Sequence, residues 1–432
     1  MRGRLRVMRW VGELTVLATL VATTASLSVS VSAGAASTNP SFAPGVTPTQ
    51  INTGAISTLT GPIASNFESL VPGIRAYFDW INSEGGVNGR KLKLAYNLDD
   101  GGNPSQFTQL AHTLIDQDHA FAAVGIATAF FSPNYFVATG TPTYGYDVTG
   151  NWTPARNLFA ANGSFLCYSC YDPAWAYLIK QVKAKSVAIL GYNIAASSAP
   201  CQTAATLLKR AGINVSYVDV NIQYPGSGLS SDVQRMQQAG SDFVLSCMDI
   251  TGNIAMARAI QEYGLKVIQL WLNGNDQSTL NHYAGLMEGV YFNIFHVPFS
   301  SSTKYYPGLD TYLSAMKKYA PNYVYDEVAI QGWQSAALFA AGVKAAGKTL
   351  TQANVVAQTN KITSFTANGL TAPVNWVNAH FRPTYPSCSA FIRVQGTKFV
   401  SVLGHGHQVF LCFGPSVKNP VPVTPPAGTP GA

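Results

Sequence analysis

From residue 46 to residue 160, short apolar runs alternate with segments in which apolar residues return every three to four positions. Residues 51–56 form the first run and residues 92–98 alternate apolar with polar, so both read as strands. Between them Ile74, Tyr77, Phe78 and Ile81 fall at i, i+3, i+4 and i+7, with Pro72 suited to a first helical turn and Gly85-Gly86 to a stop. Asn103-Pro104 opens a second helix along the stripe Phe107, Leu110, Ala111, Leu114 and Ile115. Residues 121–126 and 142–146 are further strand candidates. Strand and helix in alternation predict a parallel sheet wound with helices.

The pattern restarts at residue 187. Strands over 187–190, 215–220, 243–247 and 267–272 alternate with helices over 201–210 and 231–239 and a third ending at Gly264. Gly212, Gly240 and Gly264 stand where a left-handed residue is needed to end each helix. The expectation is α/β: two doubly wound lobes with parallel central sheets. A return helix over 328–346, with Trp333, Ala337, Leu338 and Ala341 on one face, follows both series. Residues 389–412 alternate Phe and Val around Gly396 as a β-hairpin.

The length of 432 residues allows two or three domains, and 47% hydrophobic against 11% charged residues allows a large core. Residues 1–35 read as an export signal: Arg2, Arg4, Arg6 and Arg9, an apolar stretch over 14–27, and Ala33-Gly34-Ala35 as a small-residue cleavage site. Glu13 and many Ser and Thr dilute that stretch as a permanent membrane span. With no cysteine before Cys167, a lipid-anchored N-terminal cysteine is excluded. Without residues 1–35 the chain keeps 23 basic and 19 acidic residues with no basic run, which argues against nucleic-acid binding. Residues 36–48 are a Ser/Pro/Gly linker, and residues 416–432 are a Pro-rich tail.

Enzyme signatures are missing. There is no G-x-S-x-G elbow, phosphate loop, H-E-x-x-H or calcium loop. His405 and His407 share one strand face but lack a third metal ligand nearby. Asp99-Asp100 fits a loop or cap better than paired acid-base work, because neighbours on a strand point to opposite faces. Six cysteines in an exported protein point to disulfides, with Cys167-Tyr-Ser-Cys170 also at redox or zinc spacing. In open α/β sheets ligands bind beyond the carboxyl ends of strands. Here those ends carry hydroxyls, amides, aromatics and isolated acids, a set suited to a small neutral or zwitterionic molecule.

The segment Ile81-Asn82-Ser83-Glu84-Gly85-Gly86-Val87-Asn88-Gly89-Arg90-Lys91-Leu92, the pair Asp99-Asp100, Ala122-Ala123-Val124-Gly125 and Thr60-Gly61-Pro62 together resemble the leucine/isoleucine/valine-binding protein family. The resemblance implies a type I solute-binding protein whose lobes, joined by a three-crossover hinge, close on a ligand for the permease of an ABC importer. Lobe 1 is then 49–165 and 298–372, and lobe 2 is 166–297 and 373–415. It further implies that Ser57, Thr58, Leu59 and Thr60, with Ala127 and Thr128, hold a ligand carboxylate through hydroxyl and backbone N–H. Tyr146, Asp147 and Val148 occupy the next family contact loop, at a place where the family usually has Ser or Thr. Asp276, or alternatively Asp249, meets an ammonium beside Asn273, while Phe67, Tyr192 and Trp271 suit a flat or apolar group. Expected disulfides are Cys167–Cys170, Cys201–Cys247 between two loops at one edge of the second lobe, and Cys388–Cys412 across the C-terminal hairpin. No catalytic residue, cofactor or metal is expected. The alternatives are a ligand sensor of the same fold and a secreted enzyme.

Overall fold

The computed structural model describes residues 42–164, 173–323, 326–381, 387–413 and 421–423. The expected leader, the Cys167–Cys170 pairing and most of the Pro-rich tail lie outside the described residues. Strands β1 (Gln50–Ser57), β2 (Lys91–Asp99), β3 (Ala123–Ala127), β4 (Thr143–Gly145) and β5 (Leu158–Ala160) form a parallel sheet in the order β2-β1-β3-β4-β5. Strand alternation gives the sheet two apolar faces. Val124, Tyr144 and Phe159 join the core of α1 (Leu70–Ser83). Ile56, Ile126 and Leu158 pack instead with Phe107 of α2 (Pro104–His112) and Phe136 of α3 (Asn134–Thr139). The sequence pattern omits α3 and β5, which at six and three residues are too short for a period to register.

The second sheet repeats this winding. Strands β6 (Val187–Tyr192), β7 (Val215–Ile222), β8 (Phe243–Ser246), β9 (Ile268–Trp271) and β10 (Tyr291–Ile294) are parallel in the order β7-β6-β8-β9-β10. Helices α4 (Pro173–Gln181) and α5 (Ala195–Arg210) cover one face. Helices α6 (Leu229–Gln238) and α7 (Ile250–Glu262) cover the other, and α8 (Gln277–Met287) lies beside α7. Gly212, Gly240 and Gly264, just beyond α5, α6 and α7, all have positive φ.

The chain returns to the first lobe as α9 (Pro307–Tyr319), α10 (Glu327–Ala346) and α11 (Gln352–Thr359). It then adds the antiparallel strands β11 (Ser387–Gln395), β12 (Lys398–Val402), β13 (Phe410–Phe413) and β14 (Val421–Val423) to the second sheet. It therefore passes between the sheets three times: after β5, after β10 and before β11. Trp376 and His380 pack edge-on against Phe159 of the first sheet. These aromatic side chains, from a stretch expected in the second lobe, pack on the first lobe's core.

Helices α1 and α10 cross almost backbone to backbone. A Cβ on Gly73 would lie 1.9 Å from the Ala329 carbonyl oxygen, and one on Gly332 would lie 2.1 Å from that of Leu70. Cys201 and Cys247 form a disulfide with Cα atoms 6.0 Å apart. Cys201 sits within α5 rather than in a loop, so the bridge ties that helix to the residue after β8. Cys388 and Cys412 are register partners on β11 and β13 and are also bridged. The β11–β12 hairpin turns separately at Gly396. Among the described residues no helix is long and apolar enough to cross a membrane.

Candidate functional site

The loops that follow the carboxyl ends of the strands in the two sheets meet each other and bond across the lobes, and the ground between them is the candidate cleft. From the loop after β1, the Asn66 amide donates to Asp249 Oδ2 after β8 at 2.8 Å. Tyr224, after β7, donates its hydroxyl to the Pro62 carbonyl at 2.8 Å. Deeper in, the Tyr146 hydroxyl after β4 reaches Asn273 Oδ1 after β9 at 3.5 Å, at the long limit of a hydrogen bond.

On the first-lobe wall, most of the donors expected to meet a ligand carboxylate are turned onto the protein itself. Ser57 Oγ donates to the Gly125 carbonyl at 2.9 Å, stitching β1 to β3. Thr58 is fully buried, and its hydroxyl donates to Asp100 Oδ1 at 2.7 Å, which also takes the Gly102 N–H. Leu59 N–H, Thr60 N–H and Thr60 Oγ1 all donate to Asp99. Burial pushes the Asp99 pKa up, but these bonds and one from Gly101 N–H outweigh it and hold it below the usual value. Asp99 and Asp100 thus close the loop, as expected for cap residues. Ala127 and Thr128 are buried beside it, Thr128 Oγ1 accepting the Phe130 N–H at 3.1 Å.

The floor is acidic. Asp147, partly accessible, is otherwise surrounded by protein, and that burial pushes its pKa up to about 8, opposed by a bond from its own backbone N–H. Asp326 caps α10 by accepting the N–H groups of Val328 and Ala329, and it also accepts the Ser69 hydroxyl at 2.8 Å. Glu327 accepts the Gly274 N–H at 3.2 Å. Burial raises both carboxyls to about 7, and the neighbouring acids add to the rise. Tyr146 is shifted well above its ordinary value, first by burial and then by Glu327, Asp147 and Asp326. Its ring lies 6.5 Å from that of buried Phe67, and Val148 packs on the same core. Asp276 is the N-cap of α8, accepting the Thr279 N–H, and stands opposite Asp326 in an isolated bridge.

On the second-lobe wall Asp249 caps α7 through the Gly252 N–H at 3.1 Å and accepts the Tyr192 hydroxyl at 2.7 Å. The Asn273 amide donates to the Met248 carbonyl at 3.2 Å. Tyr192 is buried at this wall. Trp271 is not brought to the cleft. It has no exposed surface and packs edge-on against Phe292, its indole N–H donating to Gln269. The structure adds Asn66, Tyr224, Asp326 and Glu327 to the residues named from sequence. Asp326 had a signal, an Asp just ahead of a long helical pattern. Asn66 and Tyr224 had none, since only the meeting of distant loops gives them a role. His405 and His407 lie in an exposed turn, and no group of three potential metal ligands occurs among the described residues.

The profile of the family described as periplasmic binding protein matches residues 50–398. The Leu/Ile/Val-binding protein homolog 3 of Brucella melitensis is 24% identical over 247 residues, 54% of this chain and 63% of that protein. The amino acid binding protein of Pseudomonas aeruginosa is 40% identical over 142 residues, 30% of this chain and 36% of that protein. The matches thus span less than two thirds of these two curated relatives. Among solved structures, a fatty acid ABC transporter substrate-binding protein from Thermomonospora curvata superposes with a TM-score of 0.72 at 17% identity, covering 84% of this chain and 93% of that one.

Proposed function

The chain belongs to the periplasmic binding protein family, and on that premise we propose that it captures a small polar or amphipathic organic solute between its lobes and delivers it to an ABC importer. The observation that carries this reading is the meeting of strand-end loops from two identically wound sheets, bonded to each other through Asn66–Asp249 and Tyr224–Pro62. A solute enclosed there touches both lobes at once, and only contacts made with both favour the closed form. Thr128, Tyr146, Asp147, Asn273 and Glu327 are the polar contacts, and Phe67 and Val148 supply apolar surface. The relatives named for amino acids and fatty acid support the size class. The arginine-led apolar segment within residues 1–35 supports action outside the cytoplasm, beside the importer's permease.

The test is a thermal-shift screen of refolded protein, freed of carried-over solute, against amines, amides, amino acids and fatty or aromatic acids. A ligand bound only by the folded state stabilises it by about 2.7 kcal/mol at a hundredfold excess over Kd. A shift with one chemical class supports capture. A flat response across the panel contradicts it.

A further inference from the structure

One contact between the lobes lies outside the candidate cleft, and it uses the His405-Gly406-His407 segment that solute capture leaves unexplained. His407 lies in the turn between β12 and β13, where Gly406 supplies a positive φ and His405 and Gln408 close an isolated bridge. Its imidazole stacks on the Tyr305 ring, with centroids 4.4 Å apart and planes within 11° of parallel. Lys304 Nζ stands 5.6 Å from the centre of the same Tyr305 ring. Beside the stack the Tyr306 hydroxyl enters the turn, donating to the His407 carbonyl and accepting the Val409 N–H at 3.3 Å. Tyr306 is buried and is the N-cap of α9, the helix that packs on α1 of the first lobe. Strands β12 and β13 belong to the second sheet. Tyr305, Tyr306 and His407 therefore bridge the two lobes.

The bridge stands across the crossings from the cleft contacts. In the second sheet, ordered β14-β13-β11-β10-β9-β8-β6-β7 with β12 also paired to β11, Asp249 and Tyr224 follow β8 and β7, whereas the His407 turn joins β12 to β13. The chain passes between the lobes after β10 and before β11, in the middle of this order. Asn66–Asp249 and Tyr305–His407 thus fasten the same two lobes on either side of the hinge. A ring stack and a hydroxyl bonded at two points hold at one separation only, so a rotation that parts the cleft loops also disturbs this contact. We infer that Tyr305, Tyr306 and His407 are positioning residues for capture, a strut behind the hinge that biases the lobes toward the arrangement in which the cleft loops are bonded; the role rests on the capture reading. Contacts made in one arrangement alone shift the population toward it. The strut therefore lowers the cost of closure before any solute arrives.

The experiment measures distances between spin labels at Glu68 and Ala195, exposed on opposite lobes, in the refolded, solute-free full chain, with a second pair at Ala195 and Glu262 inside the second lobe as control. Tyr305→Ala and His407→Ala remove exposed rings, and Tyr306→Phe removes only the hydroxyl. Each should move the distribution between Glu68 and Ala195 to longer distances and leave that between Ala195 and Glu262 unchanged. Tyr305→Ala combined with His407→Ala should move it no further than the larger single change, since both break one stack. His407→Ala carries the test where Tyr306→Phe does not fold. Interlobe distances that match the native protein in both Tyr305→Ala and His407→Ala, or a change of equal size within the second lobe, overturn the inference while leaving capture intact. A flat thermal-shift screen contradicts capture, and with it the role of the strut, even where the distances lengthen.

Discussion

The Asn66 side-chain amide of the first lobe donates across the cleft to Asp249 Oδ2 of the second at 2.8 Å. Asp249 Oδ1 is meanwhile fixed within its own lobe by the Tyr192 hydroxyl and the Gly252 N–H. The acceptor is thus oriented before the lobes meet, so closure has little side-chain freedom left to remove at this point.

Replacing Asn66 with Ala removes a hydrogen bond to a charged group, a contribution of about 1.5–3 kcal/mol where buried and less at a partly exposed mouth. Asn66→Ala should weaken solute binding by about tenfold while leaving the melting temperature of the solute-free protein nearly unchanged. Asp249→Ala should also lower melting, because it strips the N-cap from α7 at a cost of about 1 kcal/mol. Calorimetry and thermal melting of the two variants separate these effects. Equal affinity in Asn66→Ala and the native protein would contradict a closing role.

The acidic floor makes stability depend on pH. Asp326 and Glu327, at about 7, and Asp147, at about 8, keep a proton in the folded state that the unfolded chain gives up near pH 4. The folded state binds more protons between those limits, so stability falls as pH rises through them. The solute-free protein should melt lower at pH 8.5 than at pH 5.5, and Asp147→Asn with Glu327→Gln should flatten the slope. Asp99 acts in the opposite sense. Its lowered pKa means that its contribution is lost as pH falls through the acid range, so Asp99→Asn should blunt acid destabilisation below about pH 4.

The Cys201–Cys247 bridge closes a separation of 46 residues and fastens α5 to the end of β8. Cys201→Ser with Cys247→Ser should cost about 2–4 kcal/mol, read as a lower denaturant midpoint with a steeper slope, because the unfolded chain freed of the cross-link exposes more surface.

At the α1–α10 crossing a methyl group has no room, because the atoms it would meet are backbone oxygens. Gly332→Ala should destabilise by about 1–3 kcal/mol or more despite its better helix propensity. An equally or more stable variant would show that the two helices can part without cost.

Much of this fold is legible in the sequence. Helices α1 and α2 announce themselves through apolar stripes and through Pro72 and Asn103-Pro104, and α5, α6 and α7 through the glycines that end them. The strand ends also point to the loops that meet between the sheets, among them those carrying Tyr146, Asp249 and Asn273. What each side chain bonds to is not legible, because the partners are far apart in the chain. Thr60 and Asp99 are 39 residues apart, and Asn66 and Asp249 are 183 apart. Trp271 shows a second limit. In a sheet covered on both faces, strand parity does not say which aromatic faces a core and which a ligand.

Capture by closure is tested most directly by a distance between the lobes. Spin labels at Glu68 and Ala195, both exposed and on opposite lobes, report the width of the cleft mouth in the refolded full chain. A solute whose binding is verified by calorimetry should shift the distances toward a single short population, and Asn66→Ala should shift them back toward longer ones. Identical distributions with and without the bound solute would contradict the account.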